Sequence, residues 1–275
     1  MDALTILRDW LLPKLDTRPF ILGLAGAQGS GKSTLAAALA ADLAGRGYRA
    51  AAVSIDDFYR SRQHRRALGA RVHPLFATRG PPGTHDLPLL LDALARIRAG
   101  RPLALPVFDK LADDRLPPQH WRRPGRIDVL ILEGWCIGAR PQPTALLAHP
   151  INALEAEADP AAHWRTHANQ ALAGQYQRTW AMLDALAFLA APDWASVPRW
   201  RAEQEANIGG PMNAAAITRF CAHYERLTRW QLATTPARAG LMLRLGGQRQ
   251  LTGSTDGQSG RQRNHGAVAN LPEQP

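Results

Sequence analysis

The feature that most constrains this chain is Gly26-x-x-x-x-Gly31-Lys32-Ser33, set between the apolar run 20–25 and the Ala/Leu-rich segment 32–44. A glycine-rich loop between a buried strand and a helix turns its backbone N–H groups inward, and the helix N-terminus adds partial positive charge. Anionic phosphate oxygens are what such a cradle holds. Gly45 and Gly47 stop the helix, and 50–55 reads as a second strand. A strand–loop–helix–strand unit implies a parallel sheet, so the expected fold class is α/β.

Hydrophobic periodicity extends this pattern. Leu4, Leu7, Trp10 and Leu11 share one face of a helix over 3–12 that Pro13 ends. Asp86 is placed to cap a helix to about residue 99, with Leu87, Leu90, Leu91, Leu94 and Ile97 inward. Segment 103–107 reads as a short strand and 127–132 as a buried one ending at Glu133-Gly134. Trp164, Ala168, Leu172, Tyr176, Trp180 and Leu183 keep one stripe along a helix over 161–183. A strand over 185–190, a helix over 212–232 and a strand over 241–245 complete the expected domain, residues 1–245. The stretch 60–85 reads as irregular, broken by Gly80, Pro81, Pro82 and Gly83. Residues 246–275 are polar, with Gly, Gln, Ser, Asn and scattered Arg, and read as a disordered tail.

Composition narrows the class. With 45% hydrophobic and 20% charged residues the chain is neither disordered nor fibrous. Charges interrupt its apolar stretches short of a membrane span, and Asp2, Arg8 and Asp9 interrupt any leader-like start. Two cysteines, Cys136 and Cys221, without metal-ligand spacing exclude a disulfide scaffold and a zinc module, and a cytoplasmic setting is expected. Cys221 shares an apolar stripe and reads as buried, whereas Cys136 is expected to be exposed. The formal net charge of +10 suits an anionic partner. Arg60, Arg62, Arg65, Arg66, Arg71 and Arg79 fall in 58–85 without an acid, but aromatic interleaving is missing, so no nucleic acid partner is expected.

Within the loop, Gly26, Ala27, Gln28, Gly29, Ser30, Gly31, Lys32, Ser33 and Thr34 are the candidate nucleotide contacts. Lys32 would reach the β- and γ-phosphates of ATP, and the Ser33 hydroxyl would ligate Mg²⁺. Glu133, at a strand end, is the second candidate magnesium ligand, directly or through water. Asp56 and Asp57 close the second strand, where ligands of open α/β sheets bind. A carboxylate there can take a proton from an attacking hydroxyl; alternatively Asp57 caps a turn and Asp56 pairs with an arginine. His85 and Asp86 follow a glycine–proline loop able to close over a small substrate. Asp109 and Lys110 are either a surface ion pair or contacts to a substrate carboxylate or the moving phosphoryl group. Lysine occurs only at positions 14, 32 and 110, which favours a function for Lys110. Arg199 and Arg201 follow Pro198 on a helical segment. Arg201 is either a lid arginine for phosphoryl charge or the i,i+4 partner of Glu205.

Further stretches carry a resemblance. Ser54-Ile55-Asp56-Asp57-Phe58-Tyr59, Gly83-Thr84-His85-Asp86-Leu87, Pro106-Val107-Phe108-Asp109-Lys110, Glu133-Gly134-Trp135 and Arg199-Trp200-Arg201-Ala202-Glu203-Gln204-Glu205 resemble the uridine kinase, pantothenate kinase and phosphoribulokinase superfamily. Within it they are most similar to the D-glycerate 3-kinases of plant and yeast type and their bacterial relatives. The resemblance implies a P-loop kinase fold, a mostly parallel sheet flanked by helices with a helical lid. It also implies ATP and Mg²⁺, a small hydroxy acid as acceptor, Asp56 as the base, Arg201 in the lid, and Asp57, Tyr59, His85, Asp86, Asp109 and Lys110 around the acceptor. Here the stretch after Lys110 is compressed to Leu111-Ala112-Asp113-Asp114-Arg115. Rival readings are another acceptor within the superfamily, or an NTP-binding regulatory or nucleic-acid-associated ATPase.

Overall fold

The computed structural model describes residues 2–207, 209–210, 212–257 and 262–264. Helix α1 (Ala3–Leu11) precedes β1 (Phe20–Gly26), α2 (Lys32–Gly45) and β2 (Ala50–Ser54). Then follow α3 (Arg62–Arg71), α4 (Leu87–Arg98), the short strands β3 (Phe108–Asp109) and β4 (Asp114–Arg115), and β5 (Val129–Gly134). Helices α5 (Ala153–Ala158), α6 (His163–Ala171) and α7 (Gln177–Trp180) lead to β6 (Ala185–Ala190). Helices α8 (Ser196–Asn207) and α9 (Ala214–Thr234) lead to β7 (Leu241–Leu245), β8 (Leu251–Asp256) and β9 (Gln262–Asn264). The main sheet runs β2-β5-β1-β6-β7-β8-β9. Its first five strands are parallel; β8 and β9 add antiparallel at one edge.

β1 and β5 are buried along their whole length because helices cover both faces of the sheet. On one face Leu35, Leu39 and Leu43 of α2 join Leu7 and Leu11 of α1 and Trp200 of α8. On the other, Leu90, Leu94 and Ile97 of α4 pack with Leu172, Tyr176, Trp180 and Tyr224. Among the described residues no helix is long and apolar enough to cross a membrane.

The departures from sequence expectation have local causes. Segment 60–85 is not irregular throughout: Ser61 caps α3 by accepting from the His64 N–H, and the buried Arg65 side chain pairs with Asp113. Segment 103–107 forms no strand, only an isolated bridge between Leu105 and Arg122, since Pro102 and Pro106 bring no N–H to a ladder. The helix over 161–183 is broken by a π-turn, Leu172–Tyr176. Cys136 is buried rather than exposed, at 0% relative accessibility. The polar tail does not begin at residue 246, because Leu251–Asp256 pairs with β7 as β8. An antiparallel edge ladder is made by backbone groups, so it forms without an apolar side-chain pattern. β9 (Gln262–Asn264) pairs in turn with β8, and residues 258–261 and 265–275 of that tail lie outside the described residues.

Candidate active site

The carboxyl ends of β1, β5 and β2 converge, and each delivers one part of the site. β1 runs into the phosphate loop, where Gly29 (φ 71°) and Gly31 (φ 85°) take left-handed conformations that L side chains disfavour. At Gly29 space is also short, since a Cβ would lie 2.7 Å from Cβ of Trp200. Gly26 ends β1, Ala27 is buried, and Ser33 and Thr34 stand exposed in the first turn of α2. The Gln28 Oε1 and Ser30 Oγ atoms are buried without hydrogen-bond partners, as expected of polar atoms that line a ligand cradle.

The loop is braced from behind by residues far along the chain. In the β7–β8 turn, Arg249 donates from Nε to the Gly29 carbonyl at 2.6 Å and pairs with Glu203 at 2.7 Å. Its guanidinium lies over the Trp200 ring, 5.4 Å from the centroid. Trp200 Nε1 donates to the Gly247 carbonyl at 2.8 Å, and Arg199 to the same oxygen at 2.7 Å.

β5 places Glu133 beside the loop. Ser33 Oγ donates to Glu133 Oε1 at 2.8 Å, and Lys32 Nζ lies 4.0 Å from Oε2, which is buried without a hydrogen-bond partner. A hydroxyl and a carboxylate with an unused oxygen are hard donors that fit Mg²⁺. Among the described residues no cluster of three or more His, Cys, Asp or Glu could hold a metal, so water and phosphate oxygens would complete the shell.

β2 ends at Ser54, whose hydroxyl accepts from the Asp56 N–H and turns the chain into Ile55–Phe58. Asp56 Oδ2 pairs with Lys110 Nζ at 3.0 Å, and Oδ1 accepts from the Tyr59 hydroxyl at 2.9 Å. Burial alone would raise the Asp56 carboxyl, but the charges of Lys110 and Lys32 outweigh it and hold it at about 2. Burial and Asp56 together push the Tyr59 phenol well above its usual range, so it remains a donor. Tyr59 stacks on the buried His85 at 4.6 Å, and His85 Nδ1 meets the Tyr176 hydroxyl at 2.6 Å. Burial depresses the His85 imidazole to about 4, which keeps it neutral at ordinary pH.

The other predicted residues make contacts within the protein. Asp57 accepts from the Phe108 N–H and pairs with Arg122 at 2.8 Å, and burial raises its carboxyl. Asp86 caps α4 and pairs with Arg115 at 2.9 Å. Asp109 accepts from the Leu111 and Ala112 N–H groups, shaping the hairpin that carries Lys110. Arg201 pairs with Glu205 at 2.6 Å and lies over Phe220. Sequence reasoning missed Arg249, Tyr176 and Arg122 around the site. Arg249 sits in a polar stretch, Tyr176 reads as core, and Arg122 looks like any surface arginine. Only the Gly246–Gly247 pair, a turn signal after a strand, hinted at the hairpin.

A phosphate loop, a strand-end acid beside its serine, and a second carboxylate held ionised nearby define a nucleotide-dependent kinase of the P-loop α/β class. No family model matches the chain. The uncharacterized kinase mug58 of Schizosaccharomyces pombe is 33% identical over 244 residues, 82% of this chain and 87% of that protein. The chloroplastic D-glycerate 3-kinase of Arabidopsis thaliana is 28% identical over 201 residues, 69% of this chain but 42% of that longer protein. A solved D-glycerate 3-kinase from Cryptococcus neoformans var. grubii matches with a TM-score of 0.80 at 26% identity, covering 93% of this chain and 99% of that one. The chain belongs to the family of P-loop small-molecule kinases to which these proteins belong.

Proposed function

We propose that this kinase transfers the γ-phosphoryl group of ATP to a hydroxyl of a small hydroxy acid, D-glycerate giving 3-phosphoglycerate. The observation that carries the reading is Asp56, an ionised carboxylate flanked by Lys110 and Tyr59 within electrostatic reach of Lys32 of the phosphate loop. The names of the plant and fungal relatives support glycerate as the acceptor.

In this reading the loop N–H groups and Lys32 bind the triphosphate, and Ser33 and Glu133 hold Mg²⁺ directly or through water. The bound ion neutralises charge on the phosphate oxygens. Asp56 orients the acceptor hydroxyl and takes its proton. A carboxyl held at about 2 is a weak base. That suffices when the transition state is loose and the proton leaves late. Each Asp56 oxygen has a second lone pair, so it accepts from the substrate without first losing Lys110 or Tyr59. Lys110, on an exposed hairpin, turns toward the acceptor carboxylate or the moving phosphoryl group. His85, Asp57, Asp86 and Asp109 act mainly by shaping the wall that holds Tyr59 and Lys110. Arg201 reaches the phosphoryl oxygens after it exchanges Glu205 for them when α8 closes as a lid. The two free, buried cysteines are in keeping with a reducing compartment such as the cytoplasm.

Coupled ADP release with Mg-ATP and D-glycerate, beside uridine, pantothenate and no acceptor, tests the assignment. Release should depend on D-glycerate. Asp56→Asn should lose at least about a hundredfold in kcat with ATP affinity nearly unchanged. Acceptor-independent release would move the reading to an ATPase, and release with another acceptor would replace glycerate.

A further inference from the structure

A cavity of about 550 Å³ opens between α3 and the π-turn that follows α6. That volume is in the range of small-molecule sites and far exceeds what a three-carbon acid fills. Its wall carries Arg60, His64, Arg71, His85, His167 and Gln170, and none of its fourteen lining residues is an acid. The absence of acids is notable because nearby arginines are engaged: Arg65 and Arg79 both pair with Asp113, and Arg62 donates to the Ala112 carbonyl. Among the described residues Arg60 and Arg71 form no ion pair. Arg60 Nε and His85 Nε2 are moreover buried without hydrogen-bond partners, a costly arrangement unless something else accepts from them.

We propose that this cavity is a second anion site, for a small metabolite bearing a carboxylate or phosphate group, separate from the acceptor position at Asp56. The guanidinium of Arg60 matches the paired oxygens of either group, and Arg71 at the exposed rim supplies the second charge. Gln170 and Gln175 offer amides to a hydroxylated or extended body of the ligand. The site shares a wall with the catalytic region without merging with it. The Arg60 N–H donates to the Thr84 carbonyl at 2.8 Å, and Tyr59 and His85 pair as an isolated bridge. One stacked layer, Tyr59 on His85, therefore stands between this cavity and Asp56. The proposal is independent of which acceptor the kinase uses.

Calorimetric titration with inorganic phosphate, and in parallel with malonate, tests it on the full chain with the phosphate loop saturated by Mg²⁺ and a non-hydrolysable ATP analogue. One equivalent of either probe should bind. Binding should weaken by about tenfold or more in Arg60→Gln/Arg71→Gln, the loss expected for removed charge-assisted hydrogen bonds. Asp56→Asn should bind the probe as the wild type does, whatever its turnover. Should the double variant fail to fold, Arg71→Gln alone, at an exposed position, carries the comparison. Preference for phosphate or for malonate identifies the ligand group, and both support the site. Absence of heat for both probes up to about 10 mM, unchanged affinity in the arginine variants, or displacement of the probe by D-glycerate would overturn it.

Discussion

Asp56 shows how neighbours set the state of a single carboxyl. Burial pushes its titration upward, and the ammonium groups of Lys110 and Lys32 pull it further down, to about 2. The Asp56 charge in turn raises Lys110 above its usual 10.5. The wild-type pH–rate profile should therefore show neither an acid limb from Asp56 nor an alkaline limb from Lys110 across the neutral range, since the first has its midpoint at about 2 and the second above 10.5. The sign reverses once Lys110 is removed, because burial then acts with less opposition. In Lys110→Met an acid limb should enter kcat/KM at or above about pH 4, the ordinary carboxylate value, with rate lost as pH falls through it. A profile as flat as the wild type's would show that Lys110 does not govern this carboxylate. The pairing was open in the sequence: Asp109-Lys110 reads equally as a neighbouring ion pair, and only the hairpin turns Lys110 back across 54 positions to Asp56.

Among the elements, the β7–β8 turn has a consequence beyond the sheet edge. Arg249 adopts φ 63°, unusual for a residue with a side chain. That conformation accompanies a guanidinium bound at once to the phosphate loop, to α8 and to Glu203. It ties the Gly29 peptide to Trp200, against which no side chain at Gly29 would fit. Arg249→Ala should raise the ATP dissociation constant by about tenfold, one charge-assisted hydrogen bond, while kcat at saturating ATP changes little. Arg249→Lys should restore part of the affinity, since it keeps the charge opposite Glu203 but not the planar fork. Equal ATP affinity in all three proteins would reduce the turn to a sheet connection.

For the molecule as a whole, much of the arginine surplus is engaged in internal ion pairing. Arg65, Arg165 and Arg226 are largely buried against Asp113, Asp159 and Glu155. The segment that composition assigns to a tail is also part of the fold, at least through β8. A chain ending at Leu245 would leave β7, whose Leu241, Leu243 and Leu245 are buried, as an open edge without Arg249. Its thermal midpoint should fall by about 5 °C or more, and its ATP affinity should fall with it. A dispensable tail would leave both unchanged, so a melting curve of the two proteins decides the matter.

Local pattern alone determined the phosphate loop, the order of β1, α2, β2, β5, β6 and β7, the α4 cap at Asp86 and the positions of Asp56 and Glu133. These rest on short-range physics: apolar runs long enough for buried strands, glycines at left-handed turns, and a side chain capping its own helix. The π-turn at Leu172–Tyr176, the burial of Cys136, β8 at the edge and the partners of the charged residues that pair at long range were decided by the tertiary structure, whereas Arg201–Glu205 is a local i,i+4 pair. A long-range ion pair or hydrogen bond is selected by which groups the folded backbone brings within a few ångströms, and that meeting spans 54 and 48 positions for the ion pairs Asp56–Lys110 and Arg65–Asp113 and 220 for the bond from Arg249 to the Gly29 carbonyl. Which arginine becomes a ligand for phosphate, a brace for a loop or a buried counter-ion is therefore decided only once the chain has closed on itself.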